Sequence, residues 1–236
     1  MRKTELFFDS IADDFLQRMN QFDQQARVDW FRNAVAAYPV ARSTMVDVGA
    51  GLGHFSEVGN AFAAEVVPID IAPKLVTRLR SRFPAALVAS ATNLPFETAS
   101  VDYVVSSECI EHTLDPRLAV REMLRVLRPG GILFLTTPNL LWRWSVGLAE
   151  LLRVRRFAGI ENWLSRPALR RTLVESGAEI ISTAGLHILP FQLTPLLPLI
   201  RLANEKGQLL KPLMINQCWI ARKRATDLHG STRTLA

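Results

Sequence analysis

The run VDVGAGLGHFS, residues 46 to 56, constrains the fold more than any other stretch of the chain. An apolar, β-branched segment passes into glycines at 49, 51 and 53, and a helical pattern follows. Glycines so placed let the backbone turn sharply and approach a ligand, while the first N–H groups of the new helix stay available to an anion. The next apolar run, VVPID, ends in Asp70. If the two strands are neighbours, that carboxylate sits beside the same crevice and can accept both hydroxyls of a ribose. The spacing is G-x-G-x-G with His54 following, not the dinucleotide spacing G-x-G-x-x-G, and taken alone it also suits a plain strand-to-helix turn.

What surrounds the turn extends the pattern. Strand-like runs fall at 44–48, 65–70, 86–88, 101–106, 132–136, 180–183 and 215–221, and helical periodicity at about 5–18, 24–37, 53–63, 73–82, 116–127, 143–153 and 166–176. Strands separated by amphipathic helices specify βαβ units and a doubly wound α/β fold around a mostly parallel sheet. Asp115–Pro116 reads as an N-cap with a first-position proline, and Pro129-Gly130-Gly131 as the stop before the next strand. The last two strands are expected as an antiparallel pair at one sheet edge. At 236 residues the chain can bury one sizeable core. The organisation predicted is one domain over 1–223, with N-terminal helices in 1–40, a lid insertion in 140–164 and a disordered tail at 224–236.

Several classes are disfavoured. The longest apolar stretch, Leu186 to Leu202, is interrupted by Pro190, Pro195 and Pro198, so no membrane span is expected. Acids at Asp9, Asp13 and Asp14 break any secretory signal core. Cys109 and Cys218 are the only cysteines, which leaves no disulfide framework and no CxxC pair, and the expected location is cytoplasmic. The net charge of +6 favours anionic partners without choosing among nucleic acid, acidic lipid and small acidic substrates.

In order along the chain, VDVGAGLG, VVPIDIA, ATNLPFETASVDYVVS and LRVLRPGGILFLTTPN resemble the class I S-adenosylmethionine-dependent methyltransferases. The resemblance covers roughly Leu6 to Gly185. It implies a Rossmann-like seven-stranded sheet with the last strand antiparallel, and a cofactor, S-adenosylmethionine, across the carboxyl ends of the first strands. By that likeness Gly49 and Gly51, with Gly53, approach the methionine portion, Asp70 holds the ribose with Ile71 beside it, and Asn93 and Leu94 lie near the adenine. Ser90 stands where the family usually has Asp, so a hydroxyl or a backbone carbonyl must replace that contact. ARVDWF, ECIEH and AGLHILP are similar to runs of the ubiquinone-pathway O-methyltransferases, which implies that Arg27 reaches the cofactor carboxylate and that Ser107 contacts the cofactor.

ECIEH carries the chemistry. If a helical turn starts after Ser107, Glu108 lies one turn from Glu111 and His112, and all three share a face toward the crevice. Three readings remain open: a charged helix start without function; His112 as general base toward an acceptor hydroxyl; or a cradle of Glu108, Glu111 and His112 for Mg²⁺ or Mn²⁺. Related ubiquinone-type and small-RNA enzymes use such runs for metal, although the further His of the small-RNA enzymes has no counterpart in TTPNLLWRWSVGLAELL.

Between Leu141 and Trp163, Trp142, Trp144, Phe157 and Trp163 alternate with Arg143, Arg153, Arg155 and Arg156. Trp144, Leu148, Leu151 and Leu152 recur at helical spacing, as in an amphipathic helix packing on its own domain or closing over a pocket. The proline-broken segment from 188 to 200 is a second pocket wall or a membrane contact. Mixed basic and aromatic residues also permit RNA stacking. His54 and His187 have no evident partner in the sequence. The expectation is a methyltransferase acting on a hydroxyl of a small-molecule or lipid-like acceptor, with RNA methylation or an inactive cofactor-binding partner protein as alternatives. Oligomeric state is left open.

Overall fold

The computed structural model describes residues 2–38, 43–151, 159–188 and 208–225. Its centre is a seven-stranded sheet in the order β3-β2-β1-β4-β5-β7-β6. The strands are β1 (Thr44–Val48), β2 (Glu65–Asp70), β3 (Leu87–Val88), β4 (Val101–Ser107), β5 (Leu127–Pro138), β6 (Ala178–Leu186) and β7 (Asn216–Lys223). The strands from β1 to β5 pair in parallel, and β7 pairs antiparallel with both β5 and β6. The expected antiparallel pair is therefore present, with β6 rather than the final strand at the edge.

Helices cover both faces: α4 (His54–Gly59), α5 (Pro73–Leu79), α6 (Pro116–Val126) and α8 (Arg166–Glu175), while α7 (Arg143–Leu151) lies in the insertion after β5. Strands buried on both faces read as continuous apolar runs, and their alternation divides the core in two. Val104, Leu133 and Leu135 face Val120, Met123 and Leu124 of α6 with Leu169 and Leu173 of α8. Tyr103, Val105 and Phe134 face the other way, toward Phe55 and Val58 of α4 and Phe31 and Val35 of a helix that precedes the sheet.

That helix is α3 (Gln21–Val35), capped by the Asn20 side chain, which accepts from the Asp23 N–H at 3.0 Å. Before it, the single helix expected over 5–18 is two, α1 (Arg2–Ile11) and α2 (Phe15–Arg18). The break follows from Arg78 of α5, which takes the Ala12 carbonyl at 2.6 Å and pairs with the Asp13 carboxylate, fastening the N-terminal helices over the sheet end. At α6 the predicted cap holds: the Asp115 carboxylate accepts from the N–H groups of Arg117 and Leu118 at 2.9 and 3.0 Å. Pro129-Gly130-Gly131 differs from expectation. It lies inside β5, with register slipping after Val101 and Gly130 at φ 82°, so it is a bulge in the strand and not its approach.

The insertion is described only in part. A 3₁₀ turn, Leu140–Trp142, leads into α7, and the chain reappears at 159–163; residues 152–158 of the expected lid, the 189–207 stretch assigned to a second wall, and most of the expected tail lie outside the described residues. A second 3₁₀ turn, Gln208–Leu213, precedes β7. Among the described residues no helix is long and apolar enough to cross a membrane.

Candidate active site

The carboxyl end of β1 runs straight into the glycine turn. Gly49 and Gly53 hold φ of 78° and 83°, where a side chain would be strained, and a Cβ on Gly49 would stand 2.5 Å from the Cys109 sulfur. The Gly51 N–H donates to one oxygen of Asp70 at 2.9 Å, and the Ala72 N–H to the other at 2.9 Å. Turn and acid are thus one unit, and Asp70 is buried, which raises its pKa against the pull of those two donors.

Beside this unit opens a cavity of about 110 Å³. Gly49, Asp70 and Ile71 form one side and Ala89 to Thr92 the next; Glu108, Cys109 and His112 stand opposite, and Thr4, Phe8 and Phe15 of the N-terminal helices cross above. The donor set fits an adenosine with a methionine arm: a buried acid for the diol, an apolar strip for the base and bare backbone at Gly49. Ligand pockets ordinarily enclose ~300 Å³ or more, so the space under Phe8 and Phe15 is small for a molecule of that size.

The expected residues divide accordingly. Gly49, Asp70, Ile71, Glu108 and His112 line the cavity. Gly51 and Gly53 shape the turn from behind, with a Cβ at Gly53 meeting Leu79 at 2.7 Å. Asn93 is exposed and Leu94 belongs to the core, so Ser90 to Thr92 form the wall where those two were expected. The Ser90 hydroxyl lies 2.8 Å from that of Thr92.

Arg27 and Ser107 act one layer back. Buried Arg27 donates to Asp23 at 2.9 and 3.2 Å and to the Ser107 hydroxyl at 2.8 Å. Ser107 lies 2.8 Å from the Thr136 hydroxyl, which donates to Glu108 at 3.1 Å. The guanidinium can only donate, so Ser107 accepts from Arg27, and the two hydroxyls link it to Glu108. His187, without an evident partner in sequence, is fully buried with its Nε2 3.1 Å from Asp23.

The shared helical face proposed for ECIEH does not form. Glu108 has φ 50°, left-handed for a residue with a side chain, and the turn that follows is a 3₁₀ turn confined to Ile110–His112. The three side chains consequently diverge. Glu108 faces Thr136 and the crevice, Glu111 turns back to accept from Thr137 at 3.3 Å, and the His112 Nδ1 lies 2.9 Å from the Ile160 carbonyl. Among the described residues no group of three His, Cys, Asp or Glu side chains is placed to hold a metal ion, so the cradle reading of Glu108, Glu111 and His112 gains no support from this geometry. Burial, before any other cause, pushes Glu111 up to about 8, and burial together with the neighbouring Glu111 also raises Glu108, which keeps partial exposure toward the crevice.

A strap from the insertion was not foreseen. The Asn162 N–H donates to the Glu111 carbonyl at 2.6 Å, its side chain to the Thr113 carbonyl at 2.7 Å, and Glu161 pairs with Arg143 of α7 at 2.9 Å. Nothing in ENW marks it, since backbone carbonyls of a distant loop have no sequence signature. Phe8 and Phe15 could have been found from the apolar face of FFDSIADDF; Phe8 meets the His112 ring edge-on at 5.3 Å.

Sheet order, glycine turn, strand-end acid and the wall opposite are similar to those of class I S-adenosylmethionine-dependent methyltransferase domains. Residues 46–135 match the family model described as a methyltransferase domain. A probable S-adenosylmethionine-dependent methyltransferase of Mycobacterium tuberculosis is 38% identical over 117 residues, 47% of this chain and 43% of that protein. A ubiquinone biosynthesis O-methyltransferase of Xanthomonas oryzae pv. oryzae is 39% identical over 111 residues, 44% of this chain and 46% of that protein. The matches thus span less than half the length of these relatives. Among solved structures, a chain of the complex between the Haloferax volcanii Trm112 methyltransferase activator and a methyltransferase aligns with TM-score 0.68 at 20% identity, over 92% of this chain and 98% of that one. A possible histamine N-methyltransferase of Thermotoga maritima aligns with TM-score 0.66 at 15% identity, over 94% of this chain and 100% of that one. At these identities the structural likeness speaks for the fold alone.

Proposed function

We propose that this chain binds S-adenosylmethionine in the crevice and methylates a hydroxyl of a small or lipid-like acceptor. The observation that carries the reading is the meeting of Glu108 and His112 on one wall, facing the glycine turn and Asp70 across the cavity. When bound, the cofactor supplies an electrophilic methyl group. The residues of the chain do the rest: Asp70 takes the ribose hydroxyls, Gly49 admits the methionine arm, and Ser90 replaces a carboxylate near the base.

A hydroxyl must lose its proton as its oxygen attacks, so a proton acceptor is needed beside it. Burial and Glu111 favour the protonated form of Glu108 near neutral pH, which removes it as a base. His112 fits the role better. A carbonyl only accepts, so the contact to Ile160 puts the ring proton on Nδ1 and makes Nε2 the basic nitrogen. The Asn162 strap holds that carbonyl in place, and the apolar roof of Phe8 and Phe15 excludes water.

Methyl transfer from labelled S-adenosylmethionine into an extract of small molecules, lipids and RNA tests this reading. Label is expected in O-methyl products, insensitive to chelator, and reduced ~100-fold or more in His112→Ala. Label confined to amines or nucleobases contradicts the hydroxyl assignment, and loss on adding chelator contradicts the metal-independent base.

A further inference from the structure

Half of the exposed large apolar side chains among the described residues fall on two short stretches: Leu140, Leu141 and Trp144 around the first 3₁₀ turn, and Leu209, Leu210 and Leu213 on the second. They are far from marginal, with Trp144 64% and Leu209 95% exposed. Trp144 stacks on Trp142 at 5.9 Å and takes no part in the packing on the domain that was one of the two readings of this helix.

These stretches form one surface. The Asn139 side chain donates to the Pro212 and Met214 carbonyls, each at 2.9 Å, and the Trp142 indole N–H donates to the Leu213 carbonyl at 2.8 Å. Both turns also leave the sheet at its active end. Pro138, the last residue of β5, pairs with Asn216, the first of antiparallel β7, so the two turns sit at the carboxyl ends of the parallel strands, as the glycine turn does. Contiguous apolar surface of this kind on a soluble-sized domain marks an interaction site.

We propose that this surface docks on a phospholipid membrane rich in anionic headgroups. The chain is the right sign: its net charge is +6, and from Arg143 to Arg171 seven arginines stand against Glu150 and Glu161. In sequence Arg143 lies between Leu141 and Trp144, where it also pairs with Glu161, and Lys211 between Leu210 and Leu213, its amine donating to the Thr183 carbonyl at 3.0 Å. Leucines on separate turn tips make convex prongs, which an acyl boundary accepts without a matching pocket. A tryptophan joins them, as at membrane interfaces generally, and a few exposed apolar side chains plus basic charge suffice for reversible binding. An acceptor dissolved in the bilayer would then reach the crevice from the docked side. The surface needs neither cofactor nor acceptor, so the proposal is independent of the chemistry assigned above.

Flotation of the full chain with vesicles provides the test, comparing phosphatidylcholine alone with phosphatidylcholine plus phosphatidylglycerol. The chain should float with the mixed vesicles and far less with the neutral ones. The variant carrying Leu141→Ser, Trp144→Ser and Leu209→Ser should lose ~10-fold or more of that binding, with S-adenosylmethionine affinity unchanged because none of the three side chains lines the cavity. A wild-type chain that stays with the unbound protein on both vesicles overturns the proposal. So does binding that survives the triple substitution, which would make it charge alone. Self-association removed by the same variant, with no vesicle binding, would assign the surface to a second copy and overturn it as well.

Discussion

Glu111 is 2% exposed and holds its proton up to about pH 8, against ~4.3 for an unfolded glutamate. Between those values the folded chain binds a proton that the unfolded chain has released, so stability falls as pH rises through the window and the whole penalty is present above 8. Glu111→Gln keeps the shape and an acceptor for Thr137 without the charge. It should raise the melting temperature by ~5 °C at pH 9 and leave it nearly unchanged below pH 4.5; an equal shift at both would show that the proton is not involved. At this scale the sequence was readable where the backbone requirement is severe, as at Gly49 and at Asp70. It was unreadable where a residue breaks its own preference: nothing in ECIEH announces φ 50° at Glu108, and that one dihedral turns an imagined helical face into three diverging side chains.

Elements bounded by strong signals were legible, and their ends were not. Strands β1 and β2 stand where their apolar runs place them, and α6 starts at Asp115–Pro116 as written. The bulge at Gly130 and the break between α1 and α2 were hidden because each depends on a partner far away in sequence, Asp102 through its carbonyl near Gly131 and Arg78 at the Ala12 carbonyl. The insertion is likewise held from a distance, by Asn139, which is 1% exposed and ties the end of β5 to the turn before β7. Asn139→Ala leaves the buried Met214 carbonyl and the Pro212 carbonyl without that donor and should lower unfolding stability by ~1–3 kcal/mol in urea titration. It should also loosen the Leu140 and Leu213 turns relative to one another, seen as faster proteolysis at those turns than in the wild type. Unaltered stability would mean water replaces the amide at no cost, and the two turns would not be one unit.

Across the whole molecule, the polar groups of the active end are sorted by depth. Asp23, Arg27 and His187 lie in the interior, Ser107 and Thr136 connect them outward, and Glu108 and His112 meet the cavity. The roof comes from the first helices and the strap from the insertion after β5, so a site built on the central sheet is finished by two segments outside it. Fold class was legible because alternating strand and helix periods are a property of the whole sequence; the roof and strap were not, since they arise only when distant segments meet. Everything proposed for the crevice depends on one binding event at the glycine turn and Asp70. Titration calorimetry with S-adenosylmethionine measures it directly: the wild-type chain should bind at a single site, and Asp70→Ala should weaken binding ~10-fold or more. No binding by the wild-type chain, or equal affinity in the two, would contradict the placement of the cofactor in this crevice.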